Sequence, residues 1–151
     1  MVCLGNICRS PLAHGIMQHL SDNKNLGWEI DSAGTGGWHV GEAPHRLSQK
    51  VARYNGLDIS SQQARKLSPV DFGYYDLILF MDADNKQDGK SIAGANWSKS
   101  ATALLMDVMP AAQYPREVPD PYYGGEQGFH EVYQMVHDAC EAWINKLTQT
   151  N

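Results

Sequence analysis

Long apolar runs are missing from this sequence, and so is any excess of positive charge. A membrane-spanning helix needs about 20 consecutive apolar residues, and no stretch approaches that length. The first residues also lack the charged lead and long apolar core of a secretory signal. The sequence has 17 Asp and Glu residues and only 12 Lys and Arg residues, which gives a formal net charge of −5. We therefore expect neither a membrane nor a nucleic acid as a partner.

Cysteine is scarce as well, with Cys3 and Cys8 near the start and Cys140 far along the chain. An odd number in this arrangement does not suit the disulfide framework of a secreted protein. None of the 6 histidines lies in a metal-ligand spacing, so we expect no metal and no cofactor. We predict a cytoplasmic protein. Because 151 residues without linkers or repeats suit one domain, we predict a single domain over residues 1–151.

Three segments have the apolar spacing of amphipathic helices. One begins at Ser10–Pro11, because proline suits the first helical turn. A second is predicted over 44–55, with Tyr54 turned inward. The third is predicted over 129–147, with Cys140 on its buried face.

Three other segments predict short strands. The stretch GWEIDSAG predicts one through Trp28 and Ile30, and continuous apolar runs at 75–82 and 101–107 predict strands buried on both faces. The polar segment 86–100 gives no prediction. Strands alternating with helices indicate an α/β fold with a parallel sheet, whose ligands bind beyond the carboxyl ends of the strands.

The opening stretch MVCLGNICRSP lies at such a strand-to-helix turn and combines residues suited to one chemistry. The helix start near Ser10 and the guanidinium of Arg9 both favour the thiolate form of Cys3, which is the nucleophilic form. Gly5 and Asn6 tolerate positive φ, so the backbone between can curl and point its N–H groups at an oxyanion. Arg9 can bind two phosphate oxygens at once, and Ser10 can donate a hydrogen bond to the thiolate. The bare Cys-x5-Arg spacing also suits a packed cysteine at the end of a strand.

The full string CLGNICRSP resembles the phosphate-binding loop of the low-molecular-weight protein tyrosine phosphatases. Three more segments resemble that family in the same order: DSAGTGGWHVGEAPH, YDLILFMDADN and VPDPYYGGEQGFHEVYQMVHDAC. The resemblance covers most of the chain except residues 86–100. It implies a four-stranded parallel sheet flanked by helices and a metal-free phosphatase. Its substrates would be phosphotyrosine proteins or small aryl phosphates, and inorganic phosphate would be released.

The resemblance also implies a role for each site residue. Cys3 would attack phosphorus and form a phosphocysteine, and Asp120 would act as general acid and then as general base. The phosphate-binding loop would use its N–H groups and the Arg9 guanidinium to hold the phosphate oxygens, and it comprises Leu4, Gly5, Asn6, Ile7, Cys8 and Arg9.

Further residues match supporting positions of the family. A hydrogen-bond network around the loop would be formed by Asn6, Ser10 and Ser32. An aromatic substrate cleft would be formed by Trp38, Tyr122 and Tyr123. Cys8 would be a redox partner that forms a disulfide with the nucleophile, and Asp82 would have a structural role.

The sequence departs from the family pattern in three places. Only Met1 and Val2 precede the nucleophile, where relatives have several apolar residues, so we expect a truncated central first strand, and a gene product that starts earlier. His14 stands where Glu is usual, and we expect it on the helix surface. Gln62 stands where many members have a His that braces the loop; Gln can hydrogen-bond but carries no charge.

Four alternative interpretations of the loop remain. Arsenate reductases need two further cysteines, and DADNKQDGK has none. Protein arginine phosphatases typically have Thr at the position of Ile7 and lack the tyrosine pair at 122–123. A phosphopeptide-binding module has no need of Asp120, and phosphotransferase components with a loop cysteine typically lack the arginine found at Arg9. The comparison favours a phosphotyrosine phosphatase.

Overall fold

The computed structural model describes residues 1–149 and contains one four-stranded sheet with the order β2-β1-β3-β4. All neighbouring strands are parallel. The strands are β1 (Val2–Cys3), β2 (Ala33–Gly34), β3 (Leu77–Phe80) and β4 (Ala101–Leu104). The helices are α1 (Arg9–Asn23), α2 (Arg46–Tyr54), the short α3 (Asp71–Tyr74), α4 (Ala83–Ala93) and α5 (Glu126–Thr148). The expected four-stranded parallel α/β fold is confirmed.

Helices cover both faces of the sheet. Since successive residues of a strand point to opposite faces, neighbouring residues of β3 enter two different cores. Leu79 of β3 belongs to the larger core, which includes the buried sides of α1, α2 and α5. Ile78 and Phe80 belong to a smaller core with Phe72 and Ala93 on the other face. Burial on both faces explains the continuous apolar run of β3, as the sequence predicted.

The two longest helices, α1 and α5, pack against each other. Pro11 lies in the first turn of α1, where its missing N–H is no loss. Most apolar residues of α5 that follow helical spacing are buried, although Leu147 is 38% exposed. Cys140 is 0% exposed, so its predicted place in the core is confirmed. Within residues 1–149, no helix combines the length and the apolar character that a membrane crossing requires.

Two predictions about strands are wrong. The paired residues of β2 are Ala33–Gly34 and not the stretch through Trp28 and Ile30, because β1 begins at Val2 and offers that stretch no partner. The strand β4 is an edge strand with an exposed or half-buried surface, so it is not buried on both faces. An edge position depends on strand order, which a local apolar run does not encode.

The prediction that Tyr54 turns inward is also wrong, since this residue is 80% exposed. The buried stripe of α2 is instead formed by Ser48, Val51 and Ala52. Ser48 donates from its hydroxyl to the carbonyl of Cys8 at 3.1 Å. The small side chains at 48 and 52 let α2 approach the loop closely and rotate Tyr54 outward. The uninterpreted segment 86–100 contributes to α4 and to a 3-10 helix over Gly94–Lys99.

The central strand β1 is short, as expected. It pairs with β3 only at Phe80, whereas β4 pairs with all four β3 residues. A cavity of about 440 Å³ lies beside the unpaired side of β3, and its lining includes Met1, Ile30, Leu77 and Leu79.

An extension of three apolar residues (Val-Ile-Val) ahead of Met1 should therefore pair with β3 and fill this cavity. Each buried apolar side chain contributes about 1.5–3 kcal/mol against an ordering cost of about 1–2 kcal/mol per residue. We expect the thermal midpoint, followed by circular dichroism, to rise by about 5 °C. A Gly-Ser-Gly extension is the matched control, and an equal midpoint for the two extended chains would contradict the prediction.

Candidate active site

The phosphate-binding loop starts at the carboxyl end of β1 and ends in the first turn of α1. Asn6 has a φ of 57°, so the backbone turns through the left-handed region at this point. Carbonyls of the loop accept hydrogen bonds from outside: Leu4 from the N–H of Gly36 at 2.8 Å, and Ile7 from the N–H of His45 at 2.7 Å. Because these carbonyls point outward, the loop N–H groups line the inside of the curl, which is the arrangement of an anion-binding nest.

A close approach between β2 and this loop requires glycine at position 34. A Cβ on Gly34 would lie 2.8 Å from the carbonyl oxygen of Leu4 and 3.1 Å from the backbone nitrogen of Asn6. No side chain fits in that space without moving backbone. The second strand therefore supports the loop directly, which explains part of the Gly-rich turn after it.

The sulfur of Cys3 lies at the centre of the curl, and the residue is 2% exposed. The Ser10 hydroxyl is 3.0 Å from the sulfur, and the N–H of Asn6 donates to it at 3.3 Å. The sulfur is thus contacted by one N–H donor and by one hydroxyl that is able to donate to it, in a position that few water molecules can reach.

The three residues predicted as a supporting network lie within hydrogen-bond distance of one another. The side-chain amide of Asn6 donates to Ser10 Oγ at 2.7 Å and to Ser32 Oγ at 3.0 Å. Its oxygen accepts from the backbone N–H of Arg65 at 3.0 Å. These contacts hold Asn6 in its left-handed conformation, which is costly for a residue other than glycine. No local feature of the sequence points to this role of Arg65.

Arg9 is buried beneath the loop, at 3% exposure. Its guanidinium donates to the carboxylate of Asp82 at 2.6 Å and to the carbonyl of Val118 at 3.1 Å. Asp120 lies 3.7 Å from its other terminal nitrogen. Burial alone would lower the pKa of Arg9, but Cys3 and the two carboxylates raise it, so the group stays cationic.

Asp82 has a second contact that fixes its position. It is the N-cap of α4, and its other oxygen accepts from the N–H of Asn85 at 2.7 Å. The carboxylate therefore joins the start of a helix to the Arg9 guanidinium. The resemblance implied a structural role for Asp82, and the sequence alone did not reveal this ion pair, which spans 73 positions of the chain.

Cys3 and Arg9 line a cleft of about 300 Å³ together with Asp120 and the predicted aromatic residues. The aromatic rim is exposed, with Trp38 at 70%, Tyr122 at 43% and Tyr123 at 93%. Asp120 is also half-exposed, and it accepts from the backbone N–H of Tyr122 at 3.0 Å. The structure thus brings all the predicted catalytic and cleft residues to one opening.

Two histidines at this opening escaped the sequence analysis. His39 lines the cleft and pairs with Glu42 at 2.6 Å. The ring of His45 stacks on Phe129 at 5.0 Å and meets Tyr122 edge-on at 5.7 Å. The backbone N–H of His45 donates to the carbonyl of Ile7. His45 therefore connects the loop to the segment 122–129, which is distant from it in sequence. No local pattern marks either residue.

Cys8 also lines the cleft, although only 4% of it is exposed. Burial raises the pKa of its thiol to about 12, and the negative charges of Asp120 and Cys3 act in the same direction. Cys8 is therefore a neutral thiol next to the nucleophile position. Within the described part of the chain, no group of His, Cys, Asp or Glu side chains is arranged to hold a metal ion.

Comparison with known proteins agrees with this geometry. A family model described as low molecular weight phosphotyrosine protein phosphatase matches residues 1–151. The chain belongs to this family. It is similar to the low molecular weight protein-tyrosine-phosphatase YfkJ of Bacillus subtilis, with 42% identity over 148 residues, covering 97% of this chain and 92% of the relative. It is also similar to the human low molecular weight phosphotyrosine protein phosphatase, with 36% identity over 148 residues, covering 96% and 92%.

The chain is also similar to a solved structure. The crystal structure of DARP, a Drosophila arginine phosphatase, superposes with a TM-score of 0.91 at 30% identity, covering 99% of this chain and 97% of that one. The same fold therefore occurs in enzymes named for two different substrates. The side chains of the cleft, and not the fold, have to determine which substrate is bound.

Two departures from the family pattern lie near the loop. The expectation that His14 is a surface residue is wrong: it is half-buried, with Nδ1 3.1 Å from Ser32 Oγ. Gln62 donates to the carbonyl of Pro11 at 3.1 Å, and among residues 1–149 its side-chain oxygen has no hydrogen-bond partner. Gln62 therefore braces the first turn of α1, and His14 contacts the network that holds Asn6.

Proposed function

We propose that this chain hydrolyses phosphotyrosine monoesters through a phosphocysteine intermediate on Cys3. The observation that carries the proposal is the placement of the sulfur at the bottom of a cleft that also holds a buried guanidinium and an exposed carboxylate. Nucleophile, phosphate-binding cation and proton donor are the three parts that this reaction needs. Membership of the family supports the same conclusion.

In the first step the Cys3 thiolate attacks phosphorus and an S–P bond forms. The bond from phosphorus to the phenolic oxygen breaks, its electron pair stays on that oxygen, and the carboxylic acid of Asp120 protonates it. Arg9 and the N–H groups of the loop hold the three remaining oxygens, where charge is spread in the transition state. Since Arg9 is fixed by Asp82, it needs no reorganisation when the substrate binds.

In the second step a water molecule attacks phosphorus, and the Asp120 carboxylate takes its proton. The S–P bond breaks, which regenerates the thiolate and releases inorganic phosphate. Asp120 suits both steps because it lies at the rim of the cleft, half-exposed and held by the N–H of Tyr122.

The aromatic rim favours a substrate with a ring. Cys3 is nearly inaccessible, so the phosphoryl group has to enter on a stem long and flat enough to pass Trp38, Tyr122 and Tyr123. A phenyl ring meets this requirement and stacks on aromatic walls. Small aryl phosphates should be accepted for the same reason.

Phosphoarginine hydrolysis is the second candidate, and the close superposition on the Drosophila arginine phosphatase favours it. A guanidinium leaving group is planar and also stacks on aromatic rings. Ile7 and the pair Tyr122 and Tyr123, by which the resemblance distinguishes phosphotyrosine enzymes, line this cleft and form an apolar part of its wall. An apolar wall favours the neutral phenyl ring over a cationic group, which prefers to remain hydrated.

We also propose that Cys8 protects the nucleophile from oxidation. Peroxide would oxidise the Cys3 thiolate to a sulfenic acid, with release of water from the peroxide. The Cys8 thiol would then condense with the sulfenic acid to give a disulfide and a second water molecule. Its raised pKa, about 12, keeps Cys8 itself a poor target for peroxide, since the thiolate is the reactive form.

We further propose that residues 1–151 act as one phosphatase domain in the cytoplasm, with protein or small-molecule phosphate esters as partners. The family match over residues 1–151 and the single sheet support one domain. Three free cysteines suit a reducing compartment.

Replacing the proposed acid, Asp120→Ala, should lower kcat/KM for phenyl phosphate by roughly 10²–10⁴-fold. The loss should be smaller with p-nitrophenyl phosphate, because that phenolate leaves without a proton. Asp84→Ala, an exposed carboxylate in the first turn of α4, is the matched control and should behave as wild type. Equal effects on both substrates would remove Asp120 as the acid.

Peptides of one sequence that carry either phosphotyrosine or phosphoarginine should separate the two candidate substrates. We expect kcat/KM for phosphotyrosine to be higher by at least about tenfold, the equivalent of roughly 1.4 kcal/mol of transition-state binding. A preference for phosphoarginine would replace the proposed substrate and keep the mechanism.

Inactivation by hydrogen peroxide should be reversed by dithiothreitol in the wild-type enzyme and much less in Cys8→Ser, whose Cys3 has no partner thiol. Cys140→Ser removes a fully buried thiol remote from the cleft, so it should recover as wild type does. Equal recovery in Cys8→Ser would refute the protective role.

A further inference from the structure

His14 lies on α1, one turn beyond Ser10, on the side that faces Ser32. Its Nδ1 atom is 3.1 Å from the Ser32 hydroxyl, which is 3.0 Å from the side-chain nitrogen of Asn6. Asn6 in turn donates from its backbone to the sulfur of Cys3 at 3.3 Å. The imidazole is therefore joined to the nucleophile by a chain of three hydrogen bonds.

The backbone N–H of Arg65 fixes the orientation of the Asn6 side-chain amide in this chain. This group can only donate, so the Asn6 atom 3.0 Å away is the amide oxygen. The amide nitrogen of Asn6 then donates one hydrogen to Ser10 Oγ and the other to Ser32 Oγ. A Cys3 thiolate can only accept, so in the nucleophilic form the hydroxyl hydrogen of Ser10 is directed at the sulfur, 3.0 Å away.

The state of the imidazole depends on the direction of its hydrogen bond with Ser32. Ser32 Oγ accepts from Asn6, so its hydrogen is available for the ring atom 3.1 Å away. In the arrangement that gives this hydrogen an acceptor, His14 Nδ1 carries a lone pair and the ring is neutral with its proton on Nε2. A protonated ring would place a second N–H donor at Ser32 Oγ and leave the hydroxyl hydrogen of Ser32 without its acceptor.

The surroundings favour the neutral ring. Burial lowers the pKa of His14, and the Met1 ammonium and Arg65 also lower it, while Asp31 acts in the opposite direction. Asp31 is itself occupied, because it accepts from Arg65 at 3.0 Å and from the hydroxyl of Tyr75 at 3.2 Å. The carboxylate that could stabilise an imidazolium is thus already paired.

We propose that neutral His14 is a positioning residue for the Cys3 nucleophile, acting through Ser32 and Asn6, and that its protonation in acid loosens the phosphate-binding loop. The inference rests on the proposed role of Cys3. The side-chain contacts of Asn6 fix the position of the backbone turn, which has a φ of 57°. When Ser32 turns away, Asn6 loses one of those contacts and the donors at the sulfur lose their alignment.

Alkylation of Cys3 by iodoacetamide tests this role without requiring phosphatase activity. The rate is measured from about pH 5 to pH 8, the range in which histidines titrate. His14→Gln is the informative variant, because glutamine accepts from Ser32 at every pH. We expect equal rates for wild type and His14→Gln near pH 8, and a wild-type rate lower by about threefold or more near pH 5. His19→Gln, an exposed histidine on the same helix, should follow wild type.

His14→Leu removes the acceptor altogether, and its alkylation at neutral pH should be slower by about tenfold, the effect of one lost hydrogen bond. If this variant does not fold, the comparison of wild type with His14→Gln still decides. A ratio of those two rates that does not change with pH would overturn the proposal. So would nitrogen-15 spectra of the ring that place the proton on Nδ1 at neutral pH. Normal alkylation behaviour without hydrolysis of p-nitrophenyl phosphate would count against the proposed function and leave the role of His14 intact.

Discussion

The active site depends on one backbone constraint, the left-handed turn at Asn6. This turn curls the loop between β1 and α1 so that its N–H groups face inward around the sulfur of Cys3. A non-glycine residue pays for such a conformation, and Asn6 is held there by contacts with Ser10, Ser32 and the backbone of Arg65. Elements distant in sequence therefore act together to shape a loop of six residues.

Electrostatics determines the rest of the site. A buried guanidinium without a counterion is strongly unfavourable, and Asp82 supplies that counterion from the start of α4. Asp120 lies 3.7 Å from the other terminal nitrogen of the same cation. Arg9 is therefore charged, oriented and desolvated before any substrate arrives. Its charge is available to a phosphoryl group in an environment where electrostatic interactions are strong.

Local sequence features predicted much of this structure. The spacing of apolar residues identified α1 and α5, the apolar run identified β3, and the string from Cys3 to Pro11 identified the loop. The errors concern properties set by distant partners. The strand predicted through Trp28 lacks a neighbour, and Tyr54 is turned outward because α2 approaches the loop through Ser48.

Site residues beyond the loop also depend on partners that are distant in sequence. The aromatic and acidic residues of the cleft were identified through the family resemblance, and their chemistry alone would also have suited a turn or a core. The pairing of Asp82 with Arg9 and of His14 with Ser32 required the fold, because each contact joins segments far apart in the chain. A histidine on an amphipathic helix gives no sign of the hydroxyl that it meets.

Rapid-quench mass spectrometry can detect directly whether a phosphocysteine forms on Cys3. Wild-type enzyme is mixed with p-nitrophenyl phosphate, denatured during turnover, digested and mapped. We predict one phosphoryl group on the peptide that contains Cys3, and neither a phosphopeptide nor turnover in Cys3→Ser. A phosphoryl group on another residue, or undiminished hydrolysis by Cys3→Ser, would contradict a mechanism through phosphocysteine on Cys3.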